Sequence, residues 1–173
     1  VDPGKATAFP LASAVGALLY LARQTRPDIS YSVAVISRYM KAPGKEHWEA
    51  AMRIFSYLIK TTHYKIRLGG MCAVLYAYGD ANLAGDCGGK TDTHRSMSGS
   101  VYFLGDGPIE WGASMQKRVA LSTSAAEATA MYYTAVSQAE VNVLSFRDLL
   151  NEISCEQVDA TCMFCDNKGA VEA

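Results

Sequence analysis

Apolar positions in the first third of the chain recur at the spacing of α-helices. The segments PLASAVGALLYLARQ, RPDISYSVAVISRYM and GKEHWEAAMRIFSYLIK each crowd apolar side chains onto one side, and Pro27 opens the second. These features predict three helices, with the KAPG turn at 41–44 between the second and the third. In the third segment, the apolar residues Trp48, Met52, Phe55 and Ile59 have the spacing of one helix face.

After Tyr64 the pattern changes to the alternation of β-strands. YKIRL and AVLYAYG flank Gly69-Gly70 and predict one hairpin, whereas MSGSVYFLG and PIEWGASM flank GDG at 105–107 and predict a second. The Ala-rich stretch 122–153 opens with Ser and Thr residues able to cap it. It predicts one long helix, or two helices broken near Asn142. TCMFC then predicts a buried strand, and NKGAVEA begins another helix.

The order of these elements defines a fold class. Strand, strand, strand, helix, strand, helix predicts an α/β layer in which helices pack on a mixed sheet. The change of period near residue 66 also predicts two domains, a helical segment at about 1–66 and an α/β domain at 67–173. In such sheets, functional residues gather where strands end.

Three carboxylates occupy positions of that kind. Asp80 and Asp166 each end an apolar strand, and Glu127 falls near the start of the Ala-rich helix. If the two strands are adjacent and parallel, with the helix crossing above them, the three acids converge and repel one another. Carboxylates held together share protons or bind a divalent cation, and Mg²⁺ prefers hard oxygen ligands. Taken alone, each acid is better explained as an ordinary loop or helix residue, so the prediction needs all three.

Composition indicates which class of protein and which cellular compartment to expect. The 173 residues are 50% hydrophobic, which is enough for one or two cores. No apolar run approaches the roughly 18 residues of a membrane span, and the start VDPGKATAFP lacks a signal-peptide layout. A cytosolic or nuclear protein without a membrane partner is therefore expected. The five scattered cysteines fit reduced thiols better than disulfides.

The two parts of the chain differ in charge. Residues 1–70 contain ten lysines and arginines against four acids, whereas residues 71–173 contain six against thirteen. The asymmetry suggests one module that meets a polyanion beside another that gathers cations. Charge counts alone nevertheless favour two ordinary solvated surfaces.

Several motifs follow one another in the order of a known family. The long segment LLYLARQTRPDISYSVAVISRYMKAPGKEHWEAAMRIFSYLIKTTHY is followed by YGDANLAGD, RSMSGSVYFLGDGPIEW, KRVALSTSAAEATAM and CDNKGAV. Over nearly the whole chain these motifs resemble the ribonuclease H domain of copia-type LTR retrotransposon Pol polyproteins, with the connection segment that precedes it. The resemblance implies a ribonuclease H-like mixed sheet with packed helices at 67–173, truncated at the C-terminus. It also implies a helical connection segment from reverse transcriptase at 1–66.

The same resemblance implies a function and its residues. Asp80, Glu127 and Asp166 match the family's catalytic, metal-binding acids, which hold two Mg²⁺ ions that Mn²⁺ can replace. The implied activity is hydrolysis of the RNA strand of RNA–DNA hybrids during reverse transcription, where two ions assist the attacking water and the leaving oxygen. The implied partners are the hybrid and the reverse transcriptase domain of the same polyprotein. The implied location is a cytoplasmic virus-like particle, or the nucleus.

Departures from the family pattern support an alternative. The family usually reads Asp-x-Asp-Trp where residues 80–83 read Asp-Ala-Asn-Leu, and it tends to have an acid at the position of Ala125. It also continues after CDN with a strand, a helix and a further metal-site residue. The alternative is a non-catalytic, degenerate module that binds hybrid or packs against reverse transcriptase. Little or no cleavage by residues 1–173 alone is expected.

Five other polar residues are candidate substrate contacts. Arg95, Lys117 and Arg118 suit phosphate groups, and the hydroxyls of Ser96 and Ser98 suit a nucleic-acid backbone or a 2′-hydroxyl. Solvated loop charges and turn hydroxyls explain the same residues equally well.

A Cys-x-x-Cys motif at Cys162 and Cys165 raises the question of zinc. In a strand, however, residues three positions apart point to opposite faces and cannot bind one ion. No second cysteine pair or nearby histidine completes four ligands. A zinc site is therefore not expected.

Overall fold

The chain divides into two compact units. Unit 1 spans Val1–Ile66 and unit 2 spans Arg67–Ala173. The computed structural model describes residues 9–70, 73–84, 93–136 and 142–171. None of the helices in these ranges combines the length and the apolar character that crossing a membrane requires.

Unit 1 is helical, as the apolar spacing predicts. Its elements are α1 (Leu11–Gln24), a 3-10 turn (Pro27–Ile29), α2 (Ser30–Ser37) and α3 (Lys45–Lys60). Pro27 starts the 3-10 turn, where its fixed φ suits the turn and its missing N–H has no partner to lose. The helices enclose a core that includes Leu11, Val15, Leu18, Val33, Ile36, Ile54 and Leu58.

The buried face of α3 differs from the predicted one. The residues of α3 in the core are Ala51, Ile54 and Leu58, with Trp48 and Phe55 partly packed at its edge. Met52 is 36% exposed and Ile59 is 74% exposed, so the apolar face predicted from spacing is only partly buried. Two apolar stripes run along α3 one position apart, and the stripe with the short side chain of Ala51 packs inward because it permits closer helix contact.

Unit 2 is a mixed sheet with packed helices, which confirms the predicted α/β, ribonuclease H-like fold class. Its elements are β1 (Leu75–Asn82), β2 (Met97–Leu104), β3 (Gly107–Met115), α4 (Thr123–Val136), α5 (Val143–Glu152), β4 (Cys162–Phe164) and α6 (Lys168–Val171). The strand order is β3-β2-β1-β4, antiparallel except for the parallel pair of β1 and β4. Helix α4 packs on β1 and β2, and α6 contacts α4.

One predicted hairpin is confirmed and the other is wrong. Strands β2 and β3 join through Gly105 and Asp106, and Gly105 adopts a φ of 61° that favours glycine. Residues 64–70 form no strand. The backbone N–H of Asp106 instead donates to the carbonyl of Gly69 at 2.9 Å, so this segment bonds to the β2–β3 turn. Residues 71 and 72 of the predicted hairpin lie outside the described residues.

The Ala-rich stretch contains two separate helices. The hydroxyl of Ser122 accepts a hydrogen bond from the N–H of Ala125 at 3.1 Å and caps α4. The side chain of Asn142 accepts from the N–H of Ser145 at 3.0 Å and caps α5. The predicted break near Asn142 is therefore the correct alternative, although residues 137–141 lie outside the described part.

TCMFC forms a strand as predicted, but the prediction that this strand is buried is wrong. Strand β4 has three residues, and Cys162 and Phe164 are both exposed. It lies at one edge of the described sheet, where few neighbours can cover it. The ring of Phe164 stacks on that of Tyr78 at 4.9 Å between centroids, which aligns β4 with β1. Arg147 of α5 also donates to the hydroxyl of Thr161 at 2.8 Å and fixes the approach to β4.

Candidate metal centre

The three predicted acids belong to different elements of unit 2. Asp80 lies inside β1, two residues before its end, Glu127 lies in the second turn of α4, and Asp166 follows β4 by two residues. The parallel register of β1 and β4 pairs Tyr78 with Phe164. Continuing this register by two residues brings Asp80 beside Asp166 at one edge of the sheet.

The side chains of these acids meet, and a cysteine joins them. Ligand atoms of Glu127, Cys165 and Asp166 lie within 4.8 Å of one another. The Sγ atom of Cys165 is 3.8 Å from Oε2 of Glu127. Asp80 lies outside this group, although it is near enough to Glu127 to raise the pKa of that carboxyl group. Among the described residues, the structure thus brings Glu127 and Asp166 together with one thiol and places Asp80 beside Glu127.

The electrostatic environment of Glu127 is unfavourable to its charged form. Glu127 is only 6% exposed, and burial is the largest cause that raises the pKa of its carboxyl group. The negative charges of Asp80 and Asp166, and the hydrogen bond with Asp80, raise this pKa further. A hydrogen bond from the backbone N–H of Ala81 opposes them. Within the described residues, no lysine or arginine forms an ion pair with these acids.

A glycine lets α4 approach β1 closely enough to bring Glu127 to the sheet. A Cβ atom on Gly79 would lie 2.8 Å from Sδ of Met131 and 3.0 Å from Oγ1 of Thr134. Any side chain at position 79 would therefore force Met131 and Thr134 of α4 to move. A glycine inside a predicted strand often marks close approach of this kind, so the sequence contained a signal for it.

Two polar contacts tie the start of α4 to its surroundings. The buried side chain of Gln116, just after β3, donates from Nε2 to the carbonyl of Ala126 at 2.8 Å. The hydroxyl of Ser124 donates to Oδ1 of Asn167 at 3.4 Å, which links α4 to the loop that carries Asp166. The roles of Gln116 and Asn167 and the contact of Cys165 with Glu127 were not predicted, because these contacts join residues that are distant along the chain.

The predicted basic contacts lie at the same end of the sheet as the acids, where β1 and β3 end and β2 begins. The end of β1 pairs with the start of β2, which in turn pairs with the end of β3. Arg95 precedes β2, and Lys117 and Arg118 follow β3, so the backbone places all three at this end. Their side chains are exposed. Contact with phosphate groups stays a prediction.

The two predicted serine contacts have structural roles. Ser96 is fully buried, and its hydroxyl accepts a hydrogen bond from the N–H of Ala84 at 3.3 Å. Ser98 is 9% exposed and accepts from Nε2 of Gln116 at 2.9 Å. Their burial argues against contact with nucleic acid in this conformation.

The donor set suits a hard divalent cation. Three carboxylates supply oxygen ligands of the kind that Mg²⁺ and Mn²⁺ bind. A cation beside Glu127 would also offset the repulsion that disfavours its charged form. Cys165 adds a softer sulfur donor. Cys162 is exposed on the edge strand, so the Cys-x-x-Cys motif does not act as a pair in the described structure.

The chain is similar over most of its length to parts of transposon Pol polyproteins. No protein-family model and no solved structure matches the chain. The retrovirus-related Pol polyprotein from transposon TNT 1-94 of Nicotiana tabacum is 36% identical over 171 residues, which cover 99% of this chain and 12% of that protein. The corresponding polyprotein from transposon RE2 of Arabidopsis thaliana is 38% identical over 157 residues, which cover 90% of this chain and 10% of that protein.

A third relative has a different name. The secreted RxLR effector protein 161 of Plasmopara viticola is 38% identical over 133 residues, which cover 75% of this chain and 86% of that protein. In contrast, the chain spans about a tenth of the length of the two Pol polyproteins. The similarity to those two polyproteins extends over 90% or more of this chain's own length, which supports a retrotransposon Pol segment.

Proposed function

We propose that this Pol segment is a ribonuclease H module, which hydrolyses the RNA strand of RNA–DNA hybrids during reverse transcription of a retrotransposon. The observation that carries the proposal is that the carboxylates of Glu127 in α4 and Asp166 after β4 lie within reach of one ion, with Asp80 of β1 near Glu127. The similarity to Pol polyproteins supports it, because a transposon that replicates through RNA needs to remove the RNA strand from its hybrid.

Each acid has a distinct position in the proposed site. Asp80 and Asp166 are exposed and would contact ions on the substrate side, whereas the buried Glu127 would hold them from the side of α4. Bound Mg²⁺ would supply activation of the attacking water and stabilisation of the leaving oxygen, so no side-chain nucleophile is needed. Arg95, Lys117 and Arg118 would meet phosphate groups at the same edge, and selectivity would depend on the A-like shape and 2′-hydroxyls of the hybrid.

A hybrid with a labelled RNA strand tests the proposal. Release of RNA fragments is measured with Mg²⁺ and with Mn²⁺, for the 173-residue chain and for a longer protein that includes its flanking Pol sequence. Asp80→Asn and Asp166→Asn should lower cleavage about a thousandfold, equivalent to about 4 kcal/mol of transition-state stabilisation. Asp148→Asn, which removes an exposed acid of α5, is the matched control and should leave cleavage unchanged. Cleavage that survives Asp80→Asn, or none by the longer protein with either metal, would contradict the proposal.

A second candidate function is binding without catalysis. The observation that favours it is the similarity to the effector protein, since the chain covers most of that protein and little of any Pol polyprotein. A module of this kind would bind hybrid, or pack against reverse transcriptase, without cleaving RNA. Hybrid binding that is unchanged by Asp80→Asn, together with absent cleavage, would favour this candidate over the first.

A further inference from the structure

Gln116 connects the sheet to α4 through a buried side chain. It is 3% exposed, and its Nε2 donates to the hydroxyl of Ser98 at 2.9 Å and to the carbonyl of Ala126 at 2.8 Å. Its backbone N–H also donates to the carbonyl of Ser96 at 2.9 Å. A single amide group therefore spans β2 and α4, with both protons of its nitrogen in use.

The helix end of this connection lies directly beside the metal centre. Ala126 precedes Glu127, and the carbonyl of a residue in the body of a helix already accepts one bond from the N–H four positions later. The bond from Gln116 is therefore additional, and it fixes how far this turn of α4 lies from the sheet. Without it, this turn of α4 would lose a buried contact with the sheet while Asp80 and Asp166 still repelled Glu127.

A different contact holds the other end of the described helix. The hydroxyl of Tyr102 on β2 donates to the carbonyl of Thr134 at 3.2 Å. Like the bond from Gln116, it is a buried bond from the sheet region to a carbonyl of α4. It lies about two helical turns away from Glu127, since seven residues separate positions 127 and 134. The chain thus offers two similar contacts, of which one adjoins the acids.

We infer that Gln116 is a positioning residue of the metal centre, which holds Glu127 against the repulsion of the other two acids. This inference rests on the proposed function, because it assigns Gln116 a role in that same site. Groups that orient metal ligands from behind typically change metal affinity by about 10- to 100-fold when they are replaced. Gln116 acts only through the backbone beside Glu127 and needs no contact with ion or substrate.

Mn²⁺ binding to the whole chain, measured by calorimetry without nucleic acid, tests this role. Gln116→Met keeps the approximate length of the side chain and removes its amide, and it should weaken Mn²⁺ binding about tenfold. Tyr102→Phe is the matched control and should change the affinity by less than about twofold, because its bond lies far from Glu127. Gln116→Asn keeps the amide on a shorter side chain and should give an intermediate loss. It serves as the main variant if Gln116→Met does not fold.

The outcomes separate this inference from the proposed function. Asp80→Asn and Glu127→Gln should each weaken Mn²⁺ binding, and failure of both would contradict the metal centre itself and this inference with it. If both weaken binding while the Gln116 variants bind Mn²⁺ as tightly as Tyr102→Phe, the metal centre stands and the positioning role is overturned. A loss in the Gln116 variants that the control does not share supports the role.

Discussion

In unit 1 the buried guanidinium of Arg26 is surrounded by groups that accept hydrogen bonds from it. In unit 2, by contrast, the buried carboxyl group of Glu127 lies near two further acids, Asp80 and Asp166. Arg26 is 8% exposed and donates to both carboxylate oxygens of Asp28, at 3.0 and 2.7 Å. It also donates to the carbonyl and the hydroxyl of Thr61, at 3.3 and 2.6 Å. The hydroxyl of Tyr57 donates to Asp28 at 2.8 Å and completes a network that joins the 3-10 turn to the end of α3.

The pKa shifts of the two clusters run in opposite directions. The hydrogen bonds from Arg26 are the largest cause that lowers the pKa of Asp28, so the fold favours the charged form of this acid. Burial and two neighbouring charges raise the pKa of Glu127, so the fold disfavours its charged form. A satisfied cluster stabilises the protein as it stands, while a self-repelling one costs stability unless something else binds there. We therefore assign the Arg26–Asp28 cluster to the stability of the fold and the acids around Glu127 to the proposed function.

Replacing Arg26, the cation that binds Asp28 and Thr61 in unit 1, should have the largest effect on stability. Arg26→Ala leaves Asp28 without its charged partner, and it should lower the free energy of unfolding of unit 1 by about 3 kcal/mol. Arg26→Lys should recover only part of this loss, because an ammonium group cannot form the paired bonds to Asp28.

Each unit contains one tryptophan, which allows the two to be measured separately. Trp48 lies in α3 and Trp111 lies in β3. Urea unfolding of Arg26→Ala in a Trp111→Phe background therefore reports unit 1 alone, and the same substitution in a Trp48→Phe background is the control. A loss below about 0.5 kcal/mol, the range of ordinary surface substitutions, would show that the network contributes little.

Removing the charge of Glu127 should have a smaller effect of the opposite sign. In metal-free protein, Glu127→Gln should raise the stability of unit 2 by about 1 kcal/mol at neutral pH, as is common when a functional group is neutralised. A raised pKa means that the wild-type protein loses stability as pH rises from about 4.5 through the higher folded-state value. The advantage of Glu127→Gln should therefore grow over this interval and vanish below it. Urea unfolding followed by Trp111 across this pH range measures the difference, and a destabilised variant at neutral pH would contradict the comparison.

Hydrophobic periodicity and turn residues predicted much of the fold. The errors occurred where a segment's structure depends on contacts with residues distant along the chain. GDG predicted the β2–β3 hairpin because its two glycines and the flanking alternation are local features. YKIRL alternates equally well, yet residues 64–70 form no strand, because a strand needs a free neighbour that the sequence does not identify. Along α3 both apolar stripes fit a helix, and only contact with the rest of unit 1 selects the stripe that contains Ala51.

The candidate site was predictable to a similar extent. Strand ends and the start of a helix pointed to Asp80, Glu127 and Asp166, and the structure places Asp166 within 4.8 Å of Glu127 and Asp80 near the same glutamate. Strand alternation predicted that Cys162 and Cys165 of TCMFC point to opposite faces. It could not show that Cys165 contacts Glu127, which lies 38 positions earlier in the chain. The role of Gln116 was equally hidden, because the direction of a side chain beyond a strand end depends on the helix that packs over it.

The smallest expected effect is the contribution of Asp28 to the stability of unit 1 at low pH. Because the pKa of Asp28 is lowered from 3.8, its contribution to stability is complete above that value and is lost as pH falls through the lower folded-state value. Asp28→Asn should cost about 1 kcal/mol at neutral pH, since the amide oxygen can still accept from Arg26, which also keeps its bonds to Thr61, and it should flatten the acid limb of the stability profile of unit 1. Tyr57→Phe is the control, because it removes one hydrogen bond to Asp28 and keeps the charge pair. It should therefore retain most of the acid limb. Unfolding followed by Trp48 from pH 6 to pH 3 gives both profiles, and an equally steep acid limb in Asp28→Asn would mean that another acid controls the acid stability of unit 1.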